Sequence, residues 1–152
     1  RTAASEILRV LKPGGILAAS VPRRWPEWIC WRISPEYTRT ASGHIRIYHR
    51  RQLCALLRAA GASEPYHAHH AHALHTPFWW LKCLVGLSRN PLPVALYHRF
   101  LTWDIMARPR LTRVLESLLN PLLGKSLVLY FRKPSPSDRH RTVTVPRPCD
   151  GI

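Results

Sequence analysis

Acids, paired cysteines, glycine loops and long apolar runs are all scarce in this chain, and each scarcity excludes a class of protein. The 152 residues carry 8 Asp and Glu against 23 Lys and Arg, a formal charge of +15. The four cysteines, Cys30, Cys54, Cys83 and Cys149, are isolated: there is no Cys-x-x-Cys pair and no secretory signal before them. They read as buried or incidental thiols in a reducing compartment, the cytoplasm. The longest apolar stretches, Thr76 to Leu87 and Leu92 to Met106, are broken by Lys82, His98, Arg99 and Asp104. Neither reaches the ~18–20 clean residues that a membrane-spanning helix needs. No G-x-G-x-x-G follows a strand, so the commonest phosphate-cradling loop is missing too.

The charge is spread rather than focused. Residues 1–60 hold 11 Lys and Arg against 3 acids, residues 61–133 hold 9 against 3, and residues 134–152 hold 3 against 2. Arg23-Arg24, Arg50-Arg51 and the run from Arg108 to Arg113 are the densest clusters. Such a pattern implies weak, salt-sensitive affinity for anionic surfaces and no sequence-specific nucleic-acid recognition.

What is present begins with a helix that runs into a strand. Ala4, Ile7, Leu8 and Leu11 recur at i, i+3, i+4 and i+7, one face of a helix. Lys12 suits its end, Pro13 stops it, and Gly14-Gly15 supply the positive φ angles of a tight reversal. Ile16 to Val21 is an unbroken apolar run, which predicts a strand covered by helices on both faces of a parallel sheet. The helix opens at Arg1 with no strand ahead of it to pack on, so the chain reads as the trailing part of something longer.

Residues 22–42, with Trp25, Trp28, Trp31 and three prolines, are expected to form a loop or short irregular helix at the carboxyl end of that strand. A lid over apolar surface is favoured over direct stacking on a substrate. Leu53, Leu56, Leu57 and Ala60 mark a helix from Arg50 to Ala60 that Gly61 ends, and Ala62 to Tyr66 is a strand candidate. Residues 74–123 are helical and unusually apolar, in pieces punctuated at Asn90-Pro91, Arg108-Pro109 and Asn120-Pro121. Their cleanest stripe is Leu111, Val114, Leu115, Leu118 and Leu119; Val94, Tyr97, Phe100, Leu101, Trp103 and Ile105 spread around most of a helix that something must cover. Leu127 to Phe131 closes an alternating α/β plan as a strand, and 134–152 has the composition of a disordered tail.

Three segments, "RVLKPGGILAASVP", "GHIRIYHRRQLCALLRAAGA" and "GKSLVLYFRKP", taken in order and spacing, make residues 1–133 resemble the carboxyl-terminal half of a class I S-adenosylmethionine-dependent methyltransferase of the Methyltransf-11 type. The resemblance implies a partial Rossmann-like fold: the late strands and helices of a seven-stranded sheet, a final strand inserted antiparallel, and a mostly helical insert at 74–123. It also implies that the glycine-rich loop, the acidic residue and the strand ends that hold S-adenosylmethionine in the full-length protein lie in a missing N-terminal segment. None of the cofactor-binding residues is then expected in this chain, which alone would be inactive.

The remaining chemistry lies in histidines. His67, His69, His70, His72 and His75 fall within nine residues. In a strand, His67 and His69 share one face and His70 and His72 another; in a helix, His69 with His72 or His72 with His75 pair at i+3. Neither layout supplies three ligands and a nearby carboxylate, since Glu64 is the only acid close in sequence, so no metal site is expected. Solvated or packing roles are the simplest. Methyl transfer needs an acceptor held in line and, where required, deprotonated. His67, His69, His70 and His72 are therefore candidates for catalysis, and Trp25, Trp28, His75 and Trp79 for binding a hydrophobic or aromatic small-molecule acceptor. The alternatives are a basic non-enzymatic module that meets an anionic membrane surface through Phe78-Trp79-Trp80 and nearby arginines, and a degenerate remnant.

Overall fold

The structure, a computed structural model, describes residues 3–39 and 47–135. Helix α1 (Ala3–Val10) precedes strand β1 (Ile16–Pro22), followed by α2 (Arg24–Ile33), one 3-10 turn (Pro35–Thr38), α3 (Arg50–Ala59) and β2 (His67–Ala71). Helices α4 (His75–Val85), α5 (Leu92–Ala107) and α6 (Arg110–Leu123) then lead to β3 (Ser126–Arg132). The fold is mixed α/β, with six α-helices and one three-stranded antiparallel sheet among the described residues. It divides into two compact units. Gly43 to Arg46, with His44, and the tail beyond residue 135 lie outside the described residues.

The first unit draws on residues 3–21, 48–69 and 127–135. Its sheet has the order β1-β3-β2, so the last strand in sequence is the middle one in space. Both neighbours run antiparallel to it: Gly14 N–H donates to Lys133 O (2.9 Å) and Lys133 N–H to Gly15 O (2.8 Å), while Tyr66 N–H donates to Tyr130 O (3.0 Å). Strand alternation sends Leu129 and Phe131 into a core with Leu17, Ala19 and Val21 of β1, Ala4 of α1, and Leu53 and Leu57 of α3. Leu129 and Phe131 are fully buried, so truncating either would cost about 3–5 kcal/mol.

β1 departs from expectation. It is not covered on both faces: Ile16, Ala18 and Ser20 are exposed. The apolar run conceals a period of two, because the outward positions after Ile16 are small residues whose exposure costs little. The turn before it forms as expected at Gly14, where φ is +74°; Gly15 is needed instead for space, since a Cβ there would stand 2.8 Å from Lys12 O. Gly61, at φ +101°, ends α3, with Ala62 N–H donating to Leu57 O and Gly61 N–H to Arg58 O.

The second strand lies later than Ala62–Tyr66. That segment is extended and bonded to β3 through Ser63 and Tyr66, but Pro65 has no N–H to offer a ladder, and regular pairing begins at His67. Cys54, on the buried face of α3, is disulfide-bonded, which corrects its reading as an incidental thiol. Pairing depends on separation in space, which sequence spacing does not reveal.

The second unit draws on residues 22–39, 47 and 70–126. Of the two forms expected for the Trp/Pro-rich segment, loop or short helix, a helix forms over Arg24–Ile33: α2 contains Pro26 in its first turn, where a missing N–H is harmless. Chain breaks fall at Asn90-Pro91 and Arg108-Pro109, but Pro121 stays inside α6. The end of α6 is held from outside: Arg23 Nη1 donates to Pro121 O (2.8 Å) and Leu122 O (3.2 Å), and Thr76 Oγ1 to Leu123 O (2.6 Å). Leu74, Phe78, Val94 and Leu101 form one core of this unit.

Only Leu119 of the expected α6 stripe packs against that core; Leu111 and Leu118 are 80% and 70% exposed. α6 docks instead through Thr112, Glu116, Asn120 and Leu123, whose spacing defines a neighbouring face and whose last members make the hydrogen bonds that seat it. No helix is long and apolar enough to cross a membrane among the described residues.

Lys133 joins the two ends of the first unit. Its ammonium donates to Leu8 O (2.6 Å) and Leu11 O (2.7 Å), carbonyls left without partners at the end of α1. Lys133→Met is expected to lower stability by about 2 kcal/mol, read as a drop in the urea midpoint with an unchanged slope.

Candidate functional site

The second unit holds a buried polar network that begins with a single acid among tryptophans. Glu27 of α2 is 0% exposed and forms an ion pair with Lys125, itself 8% exposed and one residue before β3. Tyr37 donates its phenol proton to Glu27 Oε2 (3.1 Å). The Lys125 ammonium also lies 5.3 Å from the Trp79 ring centre and 5.9 Å from that of Tyr37, a cation held between aromatic faces. Burial, and the charge of Glu27, push the Tyr37 phenol far above its ordinary range, so it stays a neutral donor.

Cys30 and Cys83, both buried and unbridged, pack beside this network and share a hydrogen bond. That bond from Cys83 lowers the Cys30 thiol, with help from Lys125, and the same bond and burial raise Cys83. With every member enclosed, the network braces α2, the 3-10 turn, α4 and the residue ahead of β3.

The histidines separate into two groups. His67 and His69 project from the exposed face of β2 and pack against Tyr130 of β3, ring centres 5.5 and 5.6 Å away, His69 stacked and His67 tilted. They belong to the strand itself rather than to a loop beyond it, and His70 is half-buried on the opposite face. His72 and His75 lie past the strand, on the turn into α4, ring centres 5.3 Å apart and nearly perpendicular. Glu116 of α6 joins them: one ligand atom from each of the three lies within 4.8 Å of the other two. The carboxylate missing from the local sequence thus arrives from a distant helix. His75 Nδ1 is buried without a hydrogen-bond partner, as is Asp104 Oδ1 of α5. Burial holds the His75 imidazole below its ordinary pKa, the His72 ring adds to this, and Asp104 opposes it.

The tryptophans expected to bind an acceptor have different surroundings. Trp25 packs on Trp80 (5.6 Å) and under the Arg23 guanidinium (5.9 Å). Trp79 packs between Tyr37 and Phe78. Trp28 is 54% exposed, with Arg32 5.7 Å from its ring centre. Phe78 is buried and Trp79 and Trp80 are half-buried, so that triplet is not a surface anchor.

Sequence reasoning missed Glu27, Tyr37, Lys125 and Glu116. The one available signal was Glu27 itself, an acid flanked by Trp25, Pro26 and Trp28 where solvated acids are rare. Comparison with protein-family models, with curated proteins and with solved structures finds no match.

Removing one partner of an enclosed ion pair leaves the other charge without compensation. Lys125→Met should therefore cost about 3–5 kcal/mol. Adding Glu27→Leu should recover most of that loss, a coupling that a double-mutant cycle in urea unfolding measures.

Proposed function

We propose that the chain forms the carboxyl-terminal portion of an S-adenosylmethionine-dependent methyltransferase acting on a hydrophobic or aromatic small molecule. The observation that carries this reading is the course of β3, which returns antiparallel between two strands that precede it in sequence. The order α1-β1, then α3-β2, then the inserted β3, agrees with the late part of a Rossmann-like methyltransferase sheet, with α4 to α6 as the helical insert. The "LKPGG" turn joins α1 to β1 where the resemblance requires it.

The Gly14-Gly15 turn does not fit a cofactor-cradling loop. Gly14 N–H is bonded to Lys133 O and Gly15 N–H to Lys12 O, so neither amide is turned toward a ligand, and the pair stands before a strand rather than before a helix. On this reading a preceding segment holds the cofactor and also covers the open edge of β1. Among the residues expected to meet the acceptor, His67, His69, His72 and Trp28 are the exposed ones. Calorimetric titration of the 152-residue chain with S-adenosylmethionine should show no binding tighter than about 1 mM. The chain extended upstream in its own reading frame should bind in the range of about 1–100 μM. Tight binding by the chain alone, or an upstream frame without a glycine-rich strand-loop-helix, overturns the proposal.

A second reading, attachment to an anionic membrane surface, is favoured by α6. Its outward stripe of Leu111, Val114, Leu115, Leu118 and Leu122 is exposed beside Arg108, Arg110 and Arg113, all exposed. The chain should then sediment with phosphatidylserine vesicles at physiological salt, and Leu115→Glu/Leu118→Glu should abolish it. Recovery of both proteins in the supernatant rejects this reading.

A further inference from the structure

We infer that His72, His75 and Glu116 form a binding site for a divalent transition metal of the zinc class, with room left for a water or a ligand. This goes beyond the methyltransferase reading and does not depend on it. Two imidazoles and a carboxylate are a donor set that suits Zn²⁺ and its neighbours, and three protein ligands leave a fourth position open. Tetrahedral ligands about 2.0–2.2 Å from an ion stand about 3.3–3.6 Å apart. The three donor atoms already lie within 4.8 Å of one another, so side-chain rotation closes the remainder.

Three further features point to the same place. His72 has φ +66°, a conformation that costs a residue with a side chain about 1–2 kcal/mol and that tends to persist where a site demands it. His75 keeps a buried ring nitrogen with no hydrogen-bond partner, which a metal ion or the contacts of a bound state would satisfy. The carboxylate-bearing helix is fixed in register against the histidine turn. Asn120, one turn beyond Glu116, accepts from Ala73 N–H (3.1 Å), and Leu123 O accepts from Thr76 Oγ1 (2.6 Å). Both bonds fall on the α6 face that carries Glu116, and both end within the residues between and beside the two histidines. Asp104 of α5 also keeps a buried carboxyl oxygen without a hydrogen-bond partner.

The test uses the untagged, metal-free chain titrated with Co²⁺ and then Zn²⁺, followed by visible absorption and calorimetry. One ion per chain is expected, with cobalt d–d bands that zinc abolishes and with a raised thermal midpoint. Glu116→Gln, a nearly isosteric change in a half-buried position, should keep the metal-free melting temperature and weaken binding about 100-fold; His72→Ala should do the same. Asn120→Ala, which loosens the helix that positions the carboxylate, should weaken it about 10-fold. The paired histidines of β2 provide the control, and His67→Ala/His69→Ala should leave affinity unchanged. Absence of saturable binding, unchanged affinity in Glu116→Gln, loss of binding in the β2 double variant, or a cobalt-thiolate charge-transfer band from Cys30 and Cys83 would each overturn the assignment.

Discussion

The first unit depends on a single strand that pairs on both sides. β1 and β2 have no hydrogen bonds to each other; each is a strand because Ser126–Arg132 lies between them. The same strand supplies the two most deeply buried large apolar side chains of that core, Leu129 and Phe131, and its flanking lysine ties off α1. Backbone pairing, apolar burial and helix capping thus converge on eight consecutive residues, 126–133, and this part of the fold should be lost cooperatively when they are displaced.

In the second unit the organising element is polar. Glu27 and Lys125 stand 98 residues apart in sequence, and their ion pair fastens the start of the Trp-rich helix to the residue before β3. A buried pair of this kind gives little net stability compared with apolar residues of the same shape, but it penalises alternatives in which either charge is enclosed alone. The aromatic rings around Lys125 and the phenol of Tyr37 complete its solvation. Arg23, also in this unit, caps α6 by the same logic, a cation placed on carbonyls that a helix end leaves open.

Features decided within a few residues were legible in the sequence. The stop at Pro13, the positive φ at Gly14 and Gly61, the breaks before Pro91 and Pro109, and the apolar strand at Leu127 to Phe131 all follow from local sterics and periodicity. Features decided by distant partners were not. Ile16 to Val21 looked enclosed because Ala18 counts as apolar wherever it points. The leucine stripe of α6 looked like a docking face, yet the helix sits on Thr112, Glu116 and Asn120, because hydrogen bonds to the turn after β2 hold that side. The histidine cluster was visible as composition, but its division into a pair packed on Tyr130 of the sheet and a second pair near Glu116 depends on where β2 ends.

The central place of a strand that comes last in sequence bears on how the chain is made. As a nascent chain leaves the ribosome, α1, β1, α3 and β2 are all exposed to the cell before the residues that unite them have been translated. Until then two unpaired strand edges must avoid neighbouring polypeptides, so this sheet closes after, and not during, synthesis of the segments it joins.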